Sequence, residues 1–508
     1  MNAIFRSWFR AGKSRIERRL NPSKRASGGR PVLSARSVDY GVSHRDRAIV
    51  QGGIGVFHTL VHRVGLPHAI DERLHLLKVH LPYCESDHVL NLTYNALCQG
   101  TCLQDIDLRR NDEAFLDALG ARRLPDPTTA GDFCRRFTRP HLDVLHDAID
   151  EARLKVWAEQ PESFFDRATL DMDGTLVATT GSCKAGMDIA YDGTWGYHPL
   201  VVSLAETGEV LRLVNRPGNR PSHEGAAAQV DRALVLCIRA GFRRVVLRGD
   251  TDFSQTEHLD RWDTLGVEFV FGYDARANLE DLADALPAQA WKPLHRPART
   301  AETERARPEK VKDRIVRERK FDVLRLQSEE VVEFEYRPTA CAKAYRMVAI
   351  RKHISREKGE DKLVPEIRYF FYITNIAGKA LSAEEVVFEA NDRCDQENLL
   401  AQLHGGVRAL SAPVNTLESN GAWMVMTALA WTLKAWWALL LPESPGRWHE
   451  AHREEKRRVL RMEFKAFAHA FVAIPCQVVR TGRRIVLRLL GWNPHLKTFF
   501  RLLAELRP

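Results

Sequence analysis

Between residues 165 and 275, short β-rich runs and helical runs alternate in an order that few sheets accommodate. "ATLDMD", "HPLVVSLAE" and "EVLRLVNR" come first, each rich in branched residues and bounded by Gly, Pro or Asp. "RRVVLRGD" follows only after the helical run "SHEGAAAQVDRALVLCIRAG", and "EFVFGYD" only after "SQTEHLDRWDTLG". The first three runs are read as closely joined, with "ETGE" at 206 to 209 as a hairpin turn. Successive side chains of a strand face opposite ways, so Leu170, Met172 and Gly174 share one face and Asp171 and Asp173 the other. Two carboxylates on one face of an apolar strand are costly unless a positive group lies between them.

Three meandering strands, a crossover helix, a fourth strand, a second helix and a fifth strand is the order of a ribonuclease-H-like sheet. In that arrangement the ends of the first and fourth strands lie side by side, and Asp173 and Asp250 stand at those ends. A third acid must come from an element returning to the sheet edge. "RCDQENLLAQLHGG" offers Glu397 on a helix, with Arg393 four residues before it and His404 seven after it on one face. Arg393 can bind a phosphate or orient Glu397; His404 can bind phosphate when protonated. Without further context each acid is equally a turn, cap or solvated helix residue.

The 508 residues suggest about two to four domains, or one elaborated domain. Lys and Arg number 75 against 66 Asp and Glu, a net charge of +9 that is unevenly placed. Residues 1 to 30 carry nine basic side chains against the single acid Glu17, and residues 447 to 508 carry fourteen against five. Such termini point to a polyanionic partner, nucleic acid first and an anionic membrane surface second. The nine cysteines form no CxxC pair, which fits a reducing compartment better than a disulfide scaffold or a zinc site. The N-terminus lacks the apolar core of a signal peptide, being interrupted by Arg6 and Arg10. The apolar span at 421 to 441 holds only Lys434 as a charge and is read as a buried core helix rather than a membrane span.

Along the chain, residues 1 to 45 read as a flexible basic arm, 46 to 150 as a helical region, for which the resemblance given below implies DNA binding or dimerisation, and 160 to 275 as the first part of the core. Residues 276 to 378 form a β-rich insertion with four strands, "FDVLRLQ", "VVEFEYRP", "YRMVAIRKHI" and "IRYFFYITNI", preceded by a charged stretch at 292 to 320. Helices at 379 to 442 carry Glu397, and 443 to 508 is a helical basic C-terminal segment. The fold class is therefore α/β: a ribonuclease-H-like core interrupted by a β-rich insertion.

"LDMDGT" with Asp173, "RGDTDFS" with Asp250 and "DRCDQENL" with Glu397 resemble the catalytic triad of DDE transposases from bacterial insertion sequences. The likeness is to the cut-and-paste branch with a β-strand insertion. It runs from about residue 52 to 441 and includes "YCESDHVLNLTYNALCQG", "RLPDPTTAGDFCRRF", "YHPLVVSLAETGEVL" and "RPGNRPSHEGA". It implies that Asp173, Asp250 and Glu397 bind two Mg²⁺, for which Mn²⁺ can substitute. The ions activate water, and then the 3′-hydroxyl, for phosphodiester chemistry. It further implies a protein that binds the terminal inverted repeats of its element, cleaves the ends and joins them to target DNA. Its partners would be double-stranded DNA and a second copy of the chain, with no membrane, in a bacterial cytoplasm at the nucleoid.

That branch has a tyrosine three residues before the arginine and a lysine seven after the glutamate, where this chain has Ala390 and His404. Related transposases place an aromatic on a base drawn from the transposon end, a role open to Trp291; packing against the insertion is the other reading. Arg243, Arg244 and Arg248 are read either as phosphate contacts or as a solvated edge. Because "DGT" begins at Asp173, Asp171 becomes a supporting acid that holds a nearby Arg or Lys. Two other readings remain: a nuclease of the same fold without strand transfer, and an inactive DNA-binding relic.

Overall fold

A computed structural model describes residues 3–20, 46–80, 82–296, 311–481 and 484–506. Its centre is one mixed sheet of nine strands: β1 (Ala168–Gly174), β2 (Leu200–Leu204), β3 (Glu209–Val214), β4 (Val245–Gly249), β5 (Glu268–Tyr273), β6 (Lys292–Pro293), β7 (Leu324–Tyr336), β8 (Tyr345–Glu357) and β9 (Glu360–Thr374). The spatial order is β6-β7-β8-β9-β5-β4-β1-β2-β3. β2 runs antiparallel to β1 and β3, whereas β1, β4 and β5 are parallel. Parallel neighbours need a crossover, and α1 (Ala226–Ala240) and α2 (Thr256–Thr264) supply the two. α1 buries Ala226, Val230, Ala233, Leu234 and Cys237 and ends at Gly241, whose φ of 94° only glycine adopts without strain.

The β-rich region read from sequence as an insertion joins the central sheet. β9 pairs antiparallel with β5, Phe371 opposite Tyr273, so β7, β8 and β9 widen the core sheet. "FDVLRLQ" and "VVEFEYRP" are parts of the single strand β7. The register slips twice near Leu326, and this bulge breaks the alternation that would have revealed one strand. β1 and β2 are also less tightly joined than expected. A small sheet lies between them, with Trp195–Tyr197 flanked by Val177–Ala178 and Asp188–Ile189. Gly196 is required in its middle strand, since a Cβ there would lie 2.1 Å from the Val177 carbonyl oxygen.

Two further differences concern the termini. Ala3–Leu20 forms an α-helix where the composition suggested an arm; Phe9 packs edge-on against Phe500, a contact that no local pattern reveals. The rest of that arm, 21–45, lies outside the described residues, as do 297–310 of the charged stretch. The C-terminal segment is not all helical: Cys476–Thr481 and Arg484–Leu489 form a hairpin, and Arg47–Ile49 adds a third strand to it.

The span around Lys434 is α3 (Leu417–Leu439), buried along nearly its whole length between the helices Glu85–Leu97 and Arg139–Ala158 and β3. No described helix is long and apolar enough to cross a membrane. The carboxylate of Glu209 on β3 is fully buried and accepts hydrogen bonds from Arg153 Nε at 3.1 Å, Trp157 Nε1 at 2.9 Å, Trp436 Nε1 at 2.8 Å and Thr207 Oγ1 at 2.8 Å. A buried carboxylate with four donors locks two helices onto the sheet.

Lys434 is 1% exposed, donates to the Leu460 carbonyl at 2.6 Å and lies over the Trp431 ring. Burial lowers its pKa from 10.5 to about 7. The unfolded chain therefore binds more protons between those values, and stability attributable to Lys434 rises with pH across pH 7 to 10.5. Denaturant midpoints of the parent and Lys434→Met should show this as a parent-minus-variant difference growing by up to about 1.4 kcal/mol per pH unit. A flat difference across that window would show that the amine is not buried as described.

Candidate active site

In the parallel register of β1 with β4, Asp171 lies directly opposite Arg248. Both strands run the same way, so the next residues on that face are Asp173 on one strand and Asp250 just past the end of the other. The inner pair neutralises itself. Arg248 donates from Nε to Asp171 Oδ1 at 2.7 Å and from Nη2 to Oδ2 at 2.8 Å, and Asp171 is 1% exposed. Nη1 of Arg248 also bonds Glu389 through both its Oε1 and its backbone carbonyl at 3.1 Å, and Arg167 bonds the same carboxylate.

The outer pair has no such partner within the sheet. Asp173 Oδ2 and Asp250 Oδ2 instead share Arg393, whose Nη1 and Nη2 stand 3.2 and 3.3 Å away. Burial pushes Asp173 up to about 6; Arg393 acts against that shift, while Asp250 and Glu397 add to it. Asp250 is raised as well, chiefly by burial. Its Oδ1 accepts the Asp252 amide at 3.0 Å, which fixes the carboxylate at the strand end.

Arg393 reaches both acids from a break between two helices. α4 (Ala383–Asn391) starts with a capping box between Ser382 and Glu385 and stops before Arg393; α5 (Cys394–Ala401) restarts after it. The buried Gln396 anchors α5 over the sheet, bonding Ser203 Oγ and the Val201 carbonyl. Glu397 follows it, exposed at the rim, and its charge is felt by Asp173. Among the described residues no three His, Cys, Asp or Glu side chains stand close enough to hold a metal ion. The structure thus brings Asp173 and Asp250 together around a cation and leaves Glu397 at the edge.

His404 does not continue the face of Arg393 and Glu397, because a π-helical turn at Gln402–Gly406 shifts the phase. Its Nε2 bonds Thr175 Oγ1 at 3.0 Å, and burial lowers its pKa, which disfavours the protonated form that would bind phosphate. Trp291 is 5% exposed, beside Tyr369 and with the Arg351 guanidinium 4.3 Å from the ring centroid; in this conformation it offers no open face to a base. Arg243 pairs with Asp166 and Arg244 with Glu268, while Arg248 is the buried clamp. Asp171 does hold an arginine, as expected from sequence, and that arginine is Arg248; the sequence reading grouped Arg248 with Arg243 and Arg244 and did not single out Gln396. The available signal was period two: Arg248 shares the face of Asp250 inside an otherwise apolar strand. Beside Asp250 and Arg393 lies a cavity of about 380 Å³, lined also by Tyr273, Tyr369, Tyr372 and Ala390.

The two carboxylates that share the Arg393 guanidinium are oxygen ligands of the kind a hard divalent cation takes, and Glu397 is the one further acid whose charge reaches Asp173 from the helical side. The family model of the transposase DDE domain group 1 matches residues 46–508. No curated protein matches the chain significantly. Among solved structures, the cryo-EM piggyBac transposase synaptic complex with hairpin DNA is similar at 11% identity and a TM-score of 0.34, over 83% of this chain and 81% of that one. Overlap at that level defines no shared fold.

Arg248→Ala would leave Asp171 buried and unpaired. The expected cost is about 3–5 kcal/mol in urea unfolding, and Arg248→Leu combined with Asp171→Leu should recover most of it. An unchanged midpoint for Arg248→Ala would mean that the clamp does not hold this sheet.

Proposed function

The chain belongs to the transposase DDE domain group 1 family, and from that membership we propose a cut-and-paste transposase that binds the inverted repeats of its element, cleaves each end and joins the 3′-hydroxyls to target DNA. The observation that carries the active-site assignment is the Arg393 guanidinium shared by Asp173 and Asp250 at the ends of two adjacent parallel strands. A ribonuclease-H-like core is supported by the order β3-β2-β1-β4-β5 with β2 antiparallel.

In this reading Asp173 and Asp250 hold the metal ions and Glu397 completes the second site. Bound there, Mg²⁺, or Mn²⁺ in its place, supplies the Lewis acidity that activates water or a 3′-hydroxyl and offsets charge on the phosphate. Asp171 does not serve as a ligand, since Arg248 occupies both its oxygens. Arg393, with its guanidinium already in the cleft, meets the scissile phosphate. Gln396 and the Arg248–Glu389 contact fix the height of Glu397 above the sheet. His404 orients the loop after β1 through Thr175, and Trp291 supports the insertion strands beneath Arg351. The region 46–150 and the basic C-terminal segment hold the DNA ends in a homodimer acting in trans, at the nucleoid of a bacterial cytoplasm.

The test is a supercoiled plasmid carrying the element's ends, incubated with purified protein and Mg²⁺ or Mn²⁺. Cut ends and joined products are expected from the parent, with Asp173→Asn and Asp250→Ala reduced to background while still binding the ends. Asp171→Ala cutting at background while Asp173→Ala cuts normally would reverse the assignment. Cutting without joining would make the protein a nuclease, and no cutting by the parent would defeat the reading.

A further inference from the structure

We propose that the N-terminal and C-terminal helices form a second DNA-binding cleft, built to hold a phosphate backbone and separate from the Asp173–Asp250 site. The helix Ala3–Leu20 lies against the helix Leu496–Leu506, with Phe9 at 6% exposure on Phe500 and Gly12 against Trp492. Between them and the start of the helix His449–Leu460 opens a cleft of about 670 Å³. Arg6, Arg10, Lys497, Arg501, Trp448 and His452 line it, and among the described residues no carboxylate does, Glu455 standing behind Arg501.

The cations are ordered. Arg6 and Arg10 are one turn apart on one wall, and Lys497 and Arg501 are one turn apart on the other. Arg6, Arg10 and Lys497 make no ion pair among the described residues. Arg501 is held by Glu455 at 2.8 Å, yet its Nε and Nη2 are buried without a hydrogen-bond partner. His452 adds no charge, because its Nδ1 accepts the Ser444 amide at 3.0 Å and burial lowers its pKa. Arg6, Arg10 and Lys497 converge without counter-charges among the described residues and so repel one another, and a polyanion relieves that repulsion.

Two cations along each wall suit a repeating backbone better than a single phosphate ion, and Trp448, 54% exposed at the mouth, can lie against a sugar or base. A lipid surface fits less well, because the helix Ala3–Leu20 turns Phe9 inward. The choice of DNA as the polyanion rests on the transposase reading; the charge arrangement does not.

The test measures anisotropy of a labelled random-sequence duplex with the full chain in EDTA, across a salt series. Arg6→Ala/Arg10→Ala/Lys497→Ala should weaken binding by at least about tenfold and reduce the slope of log K against log salt by roughly two to three, as expected for three lost phosphate contacts. Arg501 is left in place because it holds Glu455. Lys497→Glu alone should weaken binding without altering the thermal midpoint, which separates a contact from a folding defect. An unchanged slope in the triple variant overturns the proposal. So does binding to phosphatidylserine vesicles that depends on these residues while duplex binding does not. A parent that binds the duplex with the cleft-dependent slope but never cuts DNA would keep the cleft and sink the transposase reading instead.

Discussion

Arg248 carries its guanidinium into the sheet between Asp171 and Glu389, and three elements meet at that charge. It sits on β4, Asp171 on β1, and Glu389 on the helix that leads to Arg393 and Glu397. A buried carboxylate without a partner is strongly disfavoured, so the register of β1 against β4 cannot slip without stranding Asp171. That register also places Asp173 beside Asp250. The inner pair is satisfied by opposite charge and the outer pair is left wanting a cation.

Want of a cation is what makes the outer pair chemically useful. Arg393 takes that place and holds two desolvated acids together, with Asp173 titrating near 6. Asp173 and Asp250 thus keep oxygens that only Arg393 engages from outside the sheet, while Asp171 has both oxygens committed to Arg248. The helix break at 392–393 matters for the same reason: an uninterrupted helix would carry Arg393 on a fixed face, whereas the break lets it reach both acids.

The rest of the scaffold keeps this edge of the sheet rigid. Glu209 binds Arg153, Trp157 and Trp436 and so fastens the helix Arg139–Ala158 and α3 to β3. On the other side β9 zips onto β5, so the strands after β5 extend the sheet rather than forming a module beside it. The charged termini meet far along the chain from both features, where Phe9 on Phe500 joins a segment whose composition had suggested only an arm.

By itself the sequence determined the alternation of β1 to β5 with their crossovers, and with it the meeting of Asp173 and Asp250, because period-two and helical patterns are local and short connections allow few topologies. It also determined that the span at Lys434 is core, since one charge in an apolar run needs only a single buried partner. It did not reveal the bulge that fuses two runs into β7, the small sheet around Trp195, or the π-helical turn that takes His404 off the face of Glu397. Only the tertiary structure decided those, along with the burial of Trp291 and the pairing of Asp171 with Arg248. Each depends on a partner distant in sequence: Arg351 lies 60 residues from Trp291, and Arg248 lies 77 from Asp171. Charge and burial at such positions are properties of the folded neighbourhood, which no window along the chain contains.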